Sequence, residues 1–297
     1  MAVRSMTPSG TVRMGPATLW SMRVVGAIVA ALVFPLILGL RPANFANLVQ
    51  WQLWRFLGLG LIATVTTSVV SIVLSLPLAT LLAMARFARR TPQAYVSIAI
   101  IEVVRALPIL LVILFVNIRF PALRQIDNAI SLTGLWNTLF GALFSQQGLA
   151  VVVALTVYTA VVNAELIRAG IASLDRGQFE AARSLGMGYW QMMRLVVLPQ
   201  TFRRVLPALI AQFTTLVKDT SLGAIIGFVE LQRSGQIIYQ LARFNPMAVL
   251  YVVALIYFVV NYLLGKASEA VERRSGSSRN VRLQGELAGE GGGTVGA

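Results

Sequence analysis

Apolar residues run through this chain in long blocks, and the polar residues that interrupt them come in clusters. Blocks near the ~20 residues that a helix needs to cross a bilayer mark six candidate spans. These are Trp20–Leu40, Phe56–Ala85, Ala94–Asn117, Leu149–Gly170, Val205–Val229 and Met247–Lys266. The second is long enough to tilt or to extend beyond the membrane. The pattern predicts an all-α, polytopic membrane helix bundle. The longest connection, from about Ile118 to Gly148, carries Pro121, Asp127, Thr133-Gly134 and Trp136. It fits a short interfacial helix with Trp136 at headgroup level. One cluster stands apart: Glu180 to Pro199, EAARSLGMGYWQMMRLVVLP. Arg183 and Arg194 would each cost about 2.5–3.5 kcal/mol at a bilayer centre, so this segment belongs in water.

Composition agrees with the pattern. Of 297 residues, 57% are hydrophobic and 12% are charged, about half the charge of an average soluble chain. The net charge of +14 would suit nucleic acid, but its distribution reports topology instead. Arginines crowd the N-terminal segment, 86–90, 168–204 and 273–282, whereas the alternate segments hold Arg41, Arg55, Arg119, Arg124, Arg233 and Arg243. The positive-inside rule then puts both termini and the 180–199 segment in the cytoplasm. With no cysteine and no histidine, disulfides, thiolate metal sites and the commonest general base are excluded. No G-x-x-x-x-G-K-[ST] run is present to hold ATP phosphates. The chain is therefore not expected to be an enzyme, nor to carry a cofactor or a metal.

The two ends invite separate readings. Arg4 and Arg13 before an apolar run from about Val24 also fit a signal peptide. The run is long for one, and no small-x-small cleavage pattern precedes Arg41-Pro42, which favours a retained helix. The Gly/Ser/Arg/Glu tail over 271–297 is expected to be disordered.

Within the polar cluster, Phe179–Leu195 lacks proline and holds good helix formers. Asp175 is a better N-cap than Gln178. Gly186, and again Gly188, predict two short helices with a turn, Gly186 supplying a positive φ or a close contact. Ala181 and Ala182 would let a partner approach the backbone, and Tyr189, Trp190, Met192 and Met193 supply apolar area. The other reading is an amphipathic loop lying on lipid phosphates.

Charged groups also fall inside the spans, where they are expensive and usually face a cavity or bundle interior. Arg105 and Lys218 lie mid-span; Glu102 shares a helix face with Arg105. Pro108 frees a carbonyl near Val104 and predicts a kinked or broken helix. Thr214, Thr215, Lys218 and Ser221 form one polar stripe, with Asp219 and Thr220 beside it. Two readings stay open. The stripes line a path or a substrate cavity, or Glu102–Arg105 and Lys218–Asp219 are buried pairs that fix helix packing or a subunit interface. Asn163 and Glu165 read as interface or gate-support residues.

Taken together, these elements resemble the transmembrane permease subunits of ABC importers, in their polar amino-acid branch. The resemblance rests on Glu180-Ala181-Ala182, Gly186 and Leu198-Pro199 at the spacing of that family's EAA loop. It also rests on Glu165 and Arg168, Gly177-Gln178, Gln200, Arg203, Pro207, Lys218 with Thr220-Ser221-Leu222, and the Arg105 to Pro108 element. It covers about residues 56–270. It implies a type I importer fold of five helices, to which this chain adds an N-terminal helix within residues 1–55.

It further implies a multi-pass subunit of a bacterial inner membrane with a coupling loop at about 175–200. Glu180, Ala181, Ala182, Gly186, Tyr189, Leu198 and Pro199 would grip a separate ATP-binding subunit. An extracytoplasmic amino-acid-binding protein would deliver the solute, and a second permease subunit, self or homologous, would complete the path. Lys218, Asp219, Thr220, Ser221, Thr215, Arg105 and Glu102 would line it. Glutamate or aspartate is favoured because Lys218 and Arg105 suit carboxylates, although Asp219 would equally receive a basic or amide side chain. An ion-coupled secondary transporter is the alternative, and a non-transporting scaffold a third reading; both leave features of the chain unexplained.

Overall fold

A computed structural model describes residues 33, 35–37, 39–87, 91–119, 140–241 and 243–290. Most of the expected span Trp20–Leu40 and most of the connection with Pro121, Asp127, Thr133 and Trp136 lie outside the described residues. Among the described residues all regular structure is helical.

The central helix pair explains the long apolar runs. Helix α1 spans Trp51–Phe87, about 55 Å of rise against a ~30 Å hydrocarbon core. Its buried stripe is made of small residues at three- and four-residue spacing, including Gly60, Ala63, Thr64, Thr67, Ser71, Ser75, Ala79 and Ala83. Such a stripe lets a second helix approach closely without bulky side chains between. After residues 91–119 the chain returns as α4, Gln146–Ala172, which packs most extensively on α1. The Ser145 side chain caps α4 by accepting from the Gly148 N–H at 3.0 Å. A Cβ at Gly148 would lie 2.2 Å from the Ala142 carbonyl oxygen, so only glycine fits. Several buried hydroxyls on α1 are satisfied within the helix, as in Ser68 to the Thr64 carbonyl at 2.7 Å, or across to α4, as in Asn163 Nδ2 to Ser75 Oγ at 3.2 Å, whereas Thr67 Oγ1 has no partner among the described residues.

Between these helices, α2 (Pro92–Ala106) and α3 (Ile109–Arg119) take the place of one straight span. Thr91 caps α2 with Pro92 behind it, and Leu107 ends it with an N–H to Val104 O bond. The two helices meet at 100° across Leu107-Pro108. The expected break at Pro108 is therefore present, as a sharp bend.

Beyond α4 come α5 (Arg176–Ser184) and α6 (Tyr189–Met192), a π-helical turn over Met193–Val197, and α7 (Leu198–Asp219). A 3-10 segment, Thr220–Ile226, ends at Gly227 with φ +87°, before α8 (Leu231–Tyr239) and α9 (Pro246–Glu290).

Among the described residues, three helices are long and apolar enough to cross a membrane: α1, α4 and the Pro246–Val271 part of α9; α2 with α3 makes a fourth if the bent pair counts as one span. The expected span Val205–Val229 differs. It divides into α7 and the 3-10 segment, and α7 is too polar to count among the apolar spans. The tail differs as well. Helix α9 continues to Glu290, where composition favours disorder over 271–290. A helix already nucleated by an apolar span needs only propagation, and Ala, Glu, Arg, Leu and Gln in this stretch are good helix formers.

Candidate functional site

The 176–199 segment is built as a shelf fastened from behind. Helix α5 starts at Asp175, which sits at the N-cap without a side-chain bond. It ends in a Schellman turn: the Gly186 N–H bonds Arg183 O at 2.9 Å, the Met187 N–H bonds Ala182 O at 3.1 Å, and Gly186 has φ +73°. The turn expected at Gly186 is thus present. No neighbour would touch a Cβ there, so the glycine serves the backbone and not a close contact.

The second short helix is not free-standing. Helix α6 passes through the π turn into α7, so Leu198 and Pro199 belong to the start of a long helix. Pro199 follows directly on the π turn, where the regular α-helical hydrogen-bond ladder is already interrupted and a missing N–H is accommodated.

Fastening comes from several directions. The Tyr189 hydroxyl donates to Met84 O at 2.6 Å, tying α6 to the end of α1. Burial pushes that phenol above its ordinary pKa, so it stays a donor. Phe179 stacks on Phe87 with ring centroids 5.8 Å apart. Gln200 Nε2 donates to Gln178 Oε1 at 3.1 Å, and Arg204 donates to the Ser173 carbonyl. Ala182, Met192, Met193 and Val197 are buried against Met84, Ile167, Ile171 and Leu174. Glu165 pairs with both Arg86 and Arg168, joining α1 to α4 just behind the shelf.

The outer face is then defined by what remains exposed. Glu180, Ala181, Gly186 and Pro199 are exposed, Tyr189 and Leu198 are partly buried, and Ala182 is buried at 3%. Ala182 therefore anchors the shelf and is not available on its surface. Sequence reading missed Leu185, which is 76% exposed beside the turn, while Trp190 is 59% exposed. The signal was available: an apolar residue at a helix C-cap followed by glycine has no interior to enter. A cavity of about 600 Å³ lies between this shelf and the end of α1, lined by Met84, Phe87, Gln93, Arg183 and Trp190 among others.

The second group of candidate residues lies where α7 gives way to the 3-10 segment. Lys218 and Thr215 are exposed on one face, and Thr214, Asp219 and Ser221 are half-buried. The Ser221 hydroxyl donates to Lys218 O at 2.7 Å. Thr220 departs from the stripe: it is fully buried and donates to Val217 O at 2.8 Å. Glu102 and Arg105 are exposed at the end of α2. Among the described residues no ion pair joins Glu102 to Arg105 or Lys218 to Asp219. Helix α3 touches the 3-10 segment, which brings the broken span beside this face. Among the described residues no cluster of three or more Asp or Glu side chains is gathered as a metal would need.

Residues 75–276 match the family described as binding-protein-dependent transport system inner membrane component. The probable glutamine ABC transporter permease protein of Bacillus subtilis is 34% identical over 223 residues, covering 74% of this chain and 93% of that protein. The glutamate transport system permease protein of Corynebacterium glutamicum is 36% identical over 238 residues, covering 79% of this chain and 80% of that one. Among solved structures, a chain of an amino acid ABC transporter crystallised with histidines superposes with a TM-score of 0.62 at 29% identity. It spans 77% of this chain and 98% of its own length.

Proposed function

The chain belongs to the binding-protein-dependent transport system inner membrane components, the integral membrane permease subunits of ABC importers, and from that premise we propose that it forms the path for a polar amino acid and couples to a separate ATPase subunit through the 176–199 shelf. The observation that carries the coupling role is the contrast between the two sides of the shelf. Its back is locked to α1 and α4, while Glu180, Ala181, Leu185 and Trp190 are exposed among the described residues. A rigid element with an open apolar and acidic face transmits a push from a docked partner into the membrane helices.

In this reading residues 56–270 form the transmembrane domain, preceded by an extra helix within 1–55 and followed by a cytoplasmic tail over 271–297. Six helices cross a bacterial inner membrane, with both termini and the shelf in the cytoplasm. A second permease subunit and an extracytoplasmic amino-acid-binding protein complete the machine. Lys218, Thr215, Asp219 and Ser221 face the path, with Arg105 and Glu102 at the break beside it. Relatives named for glutamine and for glutamate stand at similar identity. The preference for glutamate or aspartate therefore rests on the cationic Lys218 and Arg105, which no acidic side chain among the described residues neutralises by ion pairing.

Gly186→Glu tests the coupling role. The positive φ costs a non-glycine residue roughly 1–2 kcal/mol, and the carboxylate would stand in the docking face. The variant should insert normally yet recover less ATPase subunit in a pull-down and lose ATP-driven uptake. Gly186→Ala, which strains the turn without adding bulk or charge, should show the milder loss. Full ATPase recovery and full uptake with the glutamate variant would remove the coupling assignment. Orientation is checked in the cysteine-free chain: Gln191→Cys should resist an impermeant thiol reagent added outside, and Arg243→Cys should react.

A further inference from the structure

Ahead of α1 the chain is fastened to α9. Val33 and residues 35–37 are helical, and they end in a Schellman turn. The Gly39 N–H bonds Leu36 O at 3.0 Å, the Leu40 N–H bonds Pro35 O at 2.8 Å, and Gly39 has φ +68°. Leu40 then enters a buried cluster with Leu48, Phe244, Val249 and Val252. A 3-10 helix over Pro42–Val49 follows and touches α9. Phe45 meets Tyr251 edge to face with ring centroids 6.0 Å apart, and Asn47 Nδ2 donates to Arg243 O at 2.7 Å. From α1, Trp54 Nε1 donates to Leu48 O at 2.8 Å and holds the connection from its other end.

Below this clasp a stripe runs along α9. Ala254, Phe258 and Tyr262 follow Tyr251 at three- and four-residue spacing, so they share its helix face. All three are exposed among the described residues. Phe258 and Tyr262 stack on each other with centroids 6.1 Å apart, which makes a flat aromatic surface. Leu263 lies about 100° further round the helix, on a separate side.

The chain that arrives at the clasp is the apolar run Trp20–Leu40, most of it outside the described residues. As a helix it measures about 30 Å, one hydrocarbon thickness, and a start in the cytoplasm makes it antiparallel to α9. It carries small residues in two pairs, Gly26-Ala27 and Ala30-Ala31, and small residues let a second helix come close. Gly26 and Ala30 stand 11 and 7 residues before Ile37, while Tyr262 and Phe258 stand 11 and 7 residues after Tyr251. With Ile37 level with Tyr251, the small pairs fall at the depth of the two rings.

We propose that the stripe of Tyr251, Ala254, Phe258 and Tyr262 on α9 is the docking surface for this chain's own N-terminal run, with Gly26-Ala27 and Ala30-Ala31 seated on the aromatic pair. The stripe is then withdrawn from a second permease subunit, which must use another face. The proposal rests on the reading of an extra membrane helix within residues 1–55.

The test uses the full-length, cysteine-free chain in native membranes, with paired cysteines and a short bismaleimide. Ala30→Cys with Phe258→Cys should link within one chain. The product runs as a monomer on a denaturing gel, and neither thiol then reacts with polyethylene-glycol maleimide. Ala30→Cys with Leu263→Cys should link at least about fivefold more slowly, since the two faces differ by roughly a quarter-turn or more. A dimer-sized product from the Ala30/Phe258 pair gives the stripe to another copy and overturns the proposal. Equal linking at positions 258 and 263, or linking of Ala30→Cys to Leu59→Cys on α1 in their place, overturns it too. A second measurement needs no cross-link. Ala30→Phe should lower the thermal unfolding midpoint in detergent, and adding Phe258→Ala should restore part of the loss, because residues in contact couple whereas distant ones add; strict additivity overturns the proposal. Intact mass separates this from the reading beneath it. A purified chain that begins after residue 40 has lost the run, and the extra helix and its docking site fall together. A full-length chain that does not link leaves the extra helix standing and removes the docking site alone.

Discussion

Helices α4 and α9 look interchangeable by composition but occupy opposite situations. Their most apolar stretches have mean hydropathies of 1.9 and 2.3, yet 67% of the α4 stretch is buried inside the chain and 17% of the α9 stretch. Helix α4 is enclosed by α1, α2, α3 and α7, whereas α9 turns Phe258, Val259 and Leu263 outward. Hydropathy measures preference for leaving water, and lipid satisfies it as well as protein does. What separates the two helices is side-chain size. Ala150, Ala154, Ala160, Ala164 and Gly170 make α4 narrow enough to be surrounded, while α9 keeps bulky residues on its free side.

That difference can be broken most severely on α4. Ile167 is fully buried, and Ile167→Ala should cost about 2–5 kcal/mol of stability by leaving a cavity, read as the loss in thermal unfolding in detergent. Gly148→Ala comes next. Its methyl group would meet backbone oxygens and not a flexible side chain, so about 1–3 kcal/mol of overpacking strain is expected in the same measurement. Leu263→Ala on α9, at 61% exposure, should change stability by no more than about 0.5 kcal/mol. A loss there as large as at Ile167 would mean that the outer face of α9 is covered by a second subunit in the assembled protein, and would sharpen the comparison into a map of the interface.

Legibility in the sequence followed the same physics. The spans in α1, α4 and α9 were readable because lipid exposure and core burial both demand apolar length. The break at Pro108 and the turn at Gly186 were readable because each depends on one residue with an unusual backbone. The end of α7 was not: Val205–Val229 carries enough apolar residues for one span, and the 3-10 segment from Thr220 packs on α1, α3, α4 and α8, which only the fold brings together. The buried Glu230 was missed for a related reason. In sequence it is one acidic residue in a connection between helices, and only the fold brings Thr64 and Tyr257 to its carboxylate. Ala182 illustrates the converse, since a motif position can serve the interior, while Leu185 beside it, outside the motif, takes the surface.

The π turn over Met193–Val197 has one more implication. It accommodates an additional residue without ending the helix, and each residue of an α-helix advances the azimuth by about 100°. Removing one residue there would leave α6 and α7 both helical but would swing Trp190 by about a quarter-turn relative to Lys218. These five residues therefore act as a phase adjuster. A descendant of this chain can re-aim the outward face of the shelf by a single-codon change in length, while the packing of α7 against its neighbours is kept.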